Sequence, residues 1–425
     1  MPRGGQAVVG LDIGSETTAI VELRGGRGGI ELASRPAVLP TPPDMMQNNV
    51  IVDPEGVGSA IKEWLRDQGI KAKKTVSSVG GQASLVVRIT EVPKMSDAEL
   101  KEAMQWDVER HIPFPATDII VDYRPIERAD ADPEAPNMEV LLAVAQEDMI
   151  NAHVEALQAA GLQPIAIDVQ PLAASRALVN VAQHETAGQT IAIVNIGAST
   201  TDITVVRDLL LSFVRPVPIA GGSLTRAISQ GFIVEEDEAE RLKRQYADLG
   251  DGGAPVGGPP SAAPSEPEPT AVPEPEPVDL TGDRTTHLEL DEPTAPVAPA
   301  AGAPGAQPQA AAPPADPNVE YTRNQVRESM QSALTELITE LRRSIDFYRR
   351  QHRNENIDRI VLAGGGANTV GLDRFIQGET GITTEIANPY AHIAADPSIA
   401  SQEYLRDVGP VTTVAAGLAM RDMLD

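Results

Sequence analysis

Short apolar runs set off by glycine turns alternate along this chain with longer stretches whose apolar residues recur every three or four positions. The short runs predict strands at 8–11, 19–23, 85–89, 119–123, 139–145 and 165–169. The longer periods predict helices. Residues 58–69 carry Ile61, Trp64 and Leu65 on one face. Ser96 with Glu99 three positions on is a capping-box start, so a helix runs from there to about residue 110 and ends before Pro113. Another helix ends at Ala160, where Gly161 stops it, and 172–181 reads as one more. The longest pattern spans 322–351, with Val326, Met330, Leu334, Leu337, Leu341, Ile345 and Tyr348 at spacings of three and four. Arg342, Arg343, Arg349 and Arg350 stand toward its end, where cations suit the negative pole of the helix dipole. The apolar stripe is read as core. Alternating strands and helices of this kind predict an α/β fold.

One stretch departs from the pattern. Residues 250–318 hold 17 of the 36 Pro, and eleven acidic residues against one basic residue, Arg284. With few large apolar residues, such a segment is expected to be disordered, and stiff where Glu and Pro alternate over 266–277. The rest of the chain is acidic too, since the whole carries −27 over 425 residues. That charge argues against a nucleic-acid partner. The chain has no Cys, so neither disulfides nor thiolate metal sites are available, and its six His show no ligand spacing. No run of about 18 apolar residues predicts a membrane span. The opening MPRGGQAVVGLDIG lacks the form of a signal peptide, so the cytoplasm is the expected compartment.

The chemistry lies in a repeat. Residues 8–20 read VVGLDIGSETTAI and residues 192–206 read AIVNIGASTTDITVV. At an offset of 183, Asp12 falls on Asn195, Ile13 on Ile196, Gly14 on Gly197, Thr17 and Thr18 on Thr200 and Thr201, and Ile20 on Ile203. Each copy reads as a hairpin whose tight glycine tip exposes backbone N–H groups. One such hairpin is commonplace. Two, facing each other, suit phosphate oxygens held from both sides. A carboxylate at a strand end suits Mg²⁺ held through water. No GxxxxGK[ST] occurs, so the chain is not a P-loop protein. A third element, RIVLAGGGANTVGL at 359–372, places Gly364, Gly365 and Gly366 between a strand and an expected helix start. Three glycines let a flat ring or ribose approach the backbone.

In this order the three elements resemble the phosphate and adenosine motifs of the actin, heat-shock chaperone and sugar-kinase ATPase superfamily. Within it, the chain resembles the PilM family of type IV pilus assembly proteins, relatives of the division protein FtsA. RITEVPKMSDAELKEAMQWDVERHIPFPATDIIVDY at 88–123 and IVLAGGGANTVGL carry that resemblance, which covers nearly all of the chain outside the Pro-rich stretch. It implies an α/β, actin-like (ribonuclease-H-type) duplicated two-lobe fold with an FtsA-like α+β subdomain inserted in the first lobe. The expected domains are a lobe I core at 1–84, with 166–188 and 405–425, and the insertion at 85–165. A lobe II core follows at 189–218 and 352–404, with a smaller lobe II subdomain at 219–249 and 319–351.

Site roles are implied by position. Asp12 resembles the Mg²⁺-side carboxylate. Gly14, Ser15, Glu16 and Thr17 resemble the first phosphate clamp, and Asn195, Gly197, Ala198, Ser199 and Thr200 the second. Gly221 and Gly222 resemble the glycine pair that follows. Glu240 and Lys243 resemble the helix residues beside adenine and ribose, with Gly364, Gly365, Gly366 and Asn368 as the adenosine motif. Gln170 falls where relatives orient a water. The implied ligands are ATP or ADP with Mg²⁺. Asn195 departs from the usual acid and cannot serve as a general base, so slow or absent hydrolysis is expected. Asp202, on the next strand, is not assigned the missing role. The resemblance also implies partners: the N-terminal cytoplasmic peptide of a PilN-like inner-membrane protein, the pilus motor ATPases, and further copies in a ring. Attachment to the membrane would come only through partners. Residues 414–425 read as a weak apolar helix bearing Asp422 and Asp425, unlike the basic membrane anchor of FtsA. An FtsA- or MreB-like filament protein and a small-molecule kinase are the alternative readings.

Overall fold

The computed structural model describes the chain except residues 1–4, 27, 48, 82–83, 113, 116, 129–131, 133, 251–316, 353–354 and 425. The expectation of disorder at 250–318 falls almost wholly outside the described residues.

Lobe I is built on a six-stranded sheet. β1 (Val8–Ile13) and β2 (Thr17–Gly26) form the first hairpin, with Asp12 opposite Ala19. β3 (Gly29–Leu32) and β4 (Ala37–Pro40) both pair with β2, and the short ribbon β5 (Met46–Gln47) and β6 (Val50–Ile51) follows. α1 (Pro54–Asp67) starts earlier than its apolar pattern predicts. Asp53 caps it by accepting from Gly56 N at 2.9 Å, and Pro54 fills the first turn, where its missing N–H is no loss. β7 (Lys74–Val79) lies parallel to β1.

The chain then leaves the lobe to make a small sheet of its own from β8 (Leu85–Pro93), β9 (Ile119–Ile126) and β10 (Asn137–Gln146), in the order β8-β10-β9. α2 (Asp97–His111) starts at the Ser96–Glu99 capping box as predicted. It covers one face of the sheet, packing Leu100, Met104 and Val108 against Val140, Leu142 and Val144. The alternate residues, Ile120, Asp122 and Arg124 on β9 and Leu141, Ala143 and Ala145 on β10, face the other way and line a groove. The insertion is shorter than the expected 85–165. α3 (Glu147–Ala159) and β11 (Gln163–Val169) return to lobe I, because Ala156 and Leu157 complete the core made by Val57 and Ile61, and β11 pairs with β7. α4 (Gln170–Leu178) and α5 (Gln183–Thr186) carry the chain onward.

Lobe II repeats the plan with β12 (Thr190–Ile196), β13 (Thr201–Arg207) and β14 (Leu210–Val217). α6 (Gly221–Phe232), α7 (Glu236–Tyr246) and the long α8 (Pro317–Gln351) follow. β15 (Arg359–Ala363), α9 (Leu372–Thr380) and β16 (Thr384–Ile386) complete a sheet of order β14-β13-β12-β15-β16. All seven stripe residues of α8 are buried, in one core with Ala192, Val194, Leu224, Ile228 and Leu362. The expected smaller subdomain of lobe II thus shares its core with the lobe II sheet.

Two more expectations are corrected at the end of the chain. Lobe I resumes before residue 405, since Leu32 N donates to Ala394 O at 2.8 Å and Tyr390 and Ile393 join the lobe I core. The apolar stretch from 414 is the buried last part of an 18-residue helix, α10 (Gln402–Ala419), whose first turns expose Gln402, Glu403, Arg406 and Asp407. The stretch from 414 reads weakly because it is enclosed on all sides and has no polar face to set a period. α10 approaches its neighbours at glycine. A Cβ on Gly417 would stand 1.8 Å from Ala173 O, and one on Gly10 would stand 1.9 Å from Ala415 O. Gly417→Val should therefore destabilise the fold by about 3 kcal/mol or more, the upper range of overpacking. Thermal denaturation checks this; a melting temperature within about 1 °C of wild type would mean that α10 does not sit on α4 this closely.

Candidate functional site

The repeat in the sequence is a repeat in space. Gly14 N donates to Thr17 O at 3.0 Å in the β1–β2 turn, and Gly197 N to Thr200 O at 2.9 Å in the β12–β13 turn. A Cβ at Gly14 would lie 2.8 Å from that Thr17 oxygen, and one at Gly197 2.9 Å from Thr200 O, so both turns exclude a side chain. The paired threonines brace the turns from below. Thr18 Oγ1 lies 3.0 Å from Thr41 Oγ1, which donates to Gly14 O at 2.7 Å, while Thr201 Oγ1 donates to Ile219 O at 2.6 Å. Thr41 N also donates to Glu16 O, leaving the Glu16 side chain exposed at the rim. The tips meet across the lobes, with Ser15 Oγ and Ser199 Oγ 2.8 Å apart.

The second turn rests on α6. Gly221 N donates to Gly197 O at 2.9 Å and Gly222 N to Ala198 O at 2.8 Å, so the first turn of that helix is docked under the tip. α7 is tied to the same place. Lys243 Nζ donates to Gly221 O at 3.1 Å and Thr225 Oγ1 at 2.6 Å, and pairs with Glu240 Oε2 at 2.5 Å. Burial pushes the Glu240 carboxyl up, but its bonds from Lys243, Thr225 and Arg244 outweigh that and hold it below the usual range. Glu240 and Lys243 are thus positioned residues of the cleft wall. Thr225 and Arg244, which the sequence reading passes over, belong to the same network.

The glycine run closes the third side. Gly364 has φ +81°, and a Cβ there would lie 2.4 Å from Ile196 O and 2.8 Å from Asn195 Oδ1. Its N–H donates to Pro410 O at 2.8 Å. A Cβ on Gly366 would meet Ile196 Cγ2 at 2.3 Å, while Gly365 and Asn368 are exposed. Instead of the expected helix start, Gly365–Asn368 forms a single 3₁₀ turn, and α9 begins only at Leu372. Asn195 packs at the joint between this run and the second tip.

The acids stand at the floor. Asp12 Oδ1 accepts from Ser78 Oγ and from Gln170 Nε2, each at 3.0 Å. Burial raises the Asp12 carboxyl, and these two bonds pull it partly back. Asp202, unassigned from the sequence, lies near Asp12. It stands directly opposite Asn195 in the hairpin, and at the offset of 183 it matches Ala19. The second copy therefore keeps an acid, moved to the neighbouring strand. Burial pushes Asp202 up to about 7, and the charge of Asp12 adds to the rise. The sequence holds a hint of this, as the only acid in the apolar strand after the second tip. Its proximity to Asp12 is set by how the lobes face each other. Beside Asp202 and Gln170 lies a cavity of 20 Å³, also lined by Gly80, Leu85 and Pro216, with room for one water.

The residues fit a Mg–nucleotide. Among the described residues no cluster of three His, Cys, Asp or Glu side chains is poised for a metal. Two buried carboxylates, one of them raised further by the charge of the other, are instead what a divalent cation would relieve, and Mg²⁺ keeps most of its own waters beside phosphates. Because the folded pKa of Asp202 is above its unfolded value, its ionisation costs stability as pH rises from about 4 to about 7. Asp202→Asn should raise the melting temperature of the nucleotide-free protein at pH 8 and leave it unchanged at pH 4. Equal effects at both pH values would contradict the assignment.

Among the described residues no helix is long and apolar enough to cross a membrane. The family described as type IV pilus assembly protein PilM matches residues 10–252 and 311–423. A solved PilM–PilN type IV pilus biogenesis complex contains a chain similar to this one at TM-score 0.73 and 25% identity, over 97% of this chain and 98% of that one. Cell division protein FtsA of Bacillus subtilis (strain 168) is 25% identical over 258 residues, 56% of this chain. The match spans little more than half of FtsA, 57% of its length. Two facing glycine turns, a small sheet inserted in the first lobe, and a family match over most of the length converge: the chain belongs to the type IV pilus assembly protein PilM family, an actin-like component of that machinery.

Proposed function

We propose that this chain binds one Mg–ATP between its lobes and uses it as a switch governing how it holds a partner peptide. The observation that carries the nucleotide half is the meeting of two equivalent tips at Ser15 and Ser199. In this reading Gly14, Ser15, Glu16 and Thr17 face the phosphates from lobe I, and Gly197, Ala198, Ser199 and Thr200 from lobe II. Gly221, Gly222, Glu240, Lys243, Gly364, Gly365, Gly366 and Asn368 surround the nucleoside. Asp12 and Asp202 hold Mg²⁺ through its waters, with Asn195 as a neutral neighbour. Gln170 orients a water beside them. With Asp12 and Asp202 engaged by the metal and Asn195 neutral, the strand ends of the two copies supply no base, so turnover is slow, below roughly 1 s⁻¹. ADP would occupy the same site. A small-molecule kinase would need that missing base.

The partner half rests on a groove of 750 Å³. Its floor is the uncovered face of the inserted sheet, and its opposite wall is lobe I through Ile150, Ile167 and Leu172, with Asp168, Arg176 and Arg421 at one side. Alternation of Ile120, Asp122 and Arg124 along β9 suits an extended peptide. The similar chain is seen in complex with PilN. We assign the groove to the N-terminal cytoplasmic peptide of a PilN-like inner-membrane protein, which would hold the chain at the membrane. Motor ATPases and further copies in a ring belong to the same reading. Fluorescence anisotropy with that labelled peptide tests it. Tighter binding with Mg–ATP than without is expected, and no binding in either condition contradicts the assignment. Long filaments formed with Mg–ATP alone, seen on sedimentation, would favour the FtsA- or MreB-like reading instead.

A further inference from the structure

The turn between β13 and β14 is strained. Asp208 and Leu209 both have positive φ, 47° and 69°. Two-residue hairpins of this form favour Asn-Gly or Asp-Gly, since a side chain in the left-handed region crowds its own backbone. Leu209 is a poor residue for that place. It is kept there by bonds from three directions. Gly188 N donates to Asp208 Oδ1 and Asp208 N to Gln189 O, both at 3.1 Å, where the chain passes between the lobes. Asn180 Nδ2, from the lobe I side, donates to Leu209 O at 2.9 Å. From the inserted subdomain, Arg128 Nη2 donates to Leu211 O at 2.7 Å and Nη1 to Arg207 O at 3.4 Å.

Arg128 is itself fixed. Its side chain is 6% exposed and its Nε pairs with Glu139 Oε2 at 2.5 Å, on the strand that forms the groove floor. The seam continues apolar, with Ile89 and Leu141 of the inserted sheet packed in one cluster with Leu211 and Val214 of lobe II. Leu209, Leu210 and Leu211 line the groove. Backbone strain held by many contacts gathers at ligand clamps. Here a lobe II element completes a groove whose other walls belong to lobe I and its insertion.

We propose that the Asp208–Leu209 turn is the lobe II wall of the partner groove, with Leu209 contacting an apolar side chain of the bound extended peptide and Arg128 tying the turn to the groove floor. The proposal rests on the peptide reading given above. A rotation of lobe II on nucleotide binding would then be passed through Arg128 to the groove floor and alter the groove against its lobe I wall, which is the differential contact that coupling between two sites requires.

The test uses the full chain and a labelled synthetic peptide carrying the PilN-like N-terminus. Glycine is at ease where Leu209 stands, so Leu209→Gly relieves the strain and should leave the melting temperature equal or higher. It should nevertheless weaken the peptide on the order of tenfold by removing one apolar contact. A purely structural role would not move the two readouts in opposite directions. Arg128→Gln should keep Mg–ATP affinity within about threefold while bringing the ratio of peptide affinities with and without Mg–ATP close to one, from about fivefold or more in wild type. Failure of the wild-type chain to bind the peptide sinks the parent reading and this one with it. Peptide binding that Leu209→Gly leaves unchanged, or a ratio that survives Arg128→Gln, overturns this inference alone.

Discussion

Asp12→Ala should weaken Mg–ATP binding roughly 100-fold, the loss that follows from removing a charged acceptor from an enclosed site. The same substitution should not harm the fold. Asp12 is raised by burial, and its charge in turn raises Asp202, so the pair is held under mutual repulsion without a cation. Removing one member relieves the other. The melting temperature of the nucleotide-free variant should match or exceed that of wild type, while titration with a fluorescent ATP analogue in Mg²⁺ shows the loss. In EDTA, where the metal is gone, wild type and variant should bind alike. Unchanged affinity in Mg²⁺ would remove Asp12 from the metal side of the site.

Protonation of His153 should destabilise the first lobe. Burial depresses this imidazole to about 4. Its Nε2 lies 2.7 Å from Ser77 Oγ, and Ser77 donates its one proton to Leu11 O, so His153 is held as the neutral donor. The unfolded chain takes up a proton near pH 6.5 and the folded chain only near pH 4. The unfolded state therefore binds more protons in that window, and stability falls as pH drops through it. A shift of this size corresponds to about 3 kcal/mol of stability, fully present above about pH 7 and lost by pH 4. Asp202 acts in the opposite sense, gaining stability for the fold as it protonates below about 7. The two are separated by comparing variants. The two shifts are of similar size and oppose each other, so between pH 7 and 4 denaturant unfolding of His153→Gln should show stability rising on acidification relative to wild type, whereas Asp202→Asn should show it falling. A wild-type profile in the His153 variant would place the acid sensitivity elsewhere. Ser77 neighbours Ser78, a partner of Asp12, so acid loss of this contact loosens the strand that supports the site.

Much of the site is legible in the chain because it is made by backbone. Gly14 and Gly197 are demanded by carbonyls three residues away, and a requirement that local recurs at the same spacing in both copies. The capping box at Ser96 is legible for the same reason. Asp202 is not, since its role depends on Asp12, 190 residues earlier and in the other lobe. The insertion boundary is hidden because the apolar face of α3 would suit either sheet, and only the match to Val57 and Ile61 decides. The second half of α10 is hidden by its full enclosure. Leu209 is the hardest to see. In RDLLLSF an uninterrupted apolar run reads as continuous strand, and no glycine marks the reversal that neighbours impose.

Two lobes holding one nucleotide between matched turns make a simple stoichiometry. Calorimetric titration of the full chain with ATP in Mg²⁺ measures it most directly. The account predicts one site per chain, of micromolar affinity or tighter, lost in Asp12→Ala. No heat of binding at millimolar Mg–ATP, or two independent sites per chain, would contradict it.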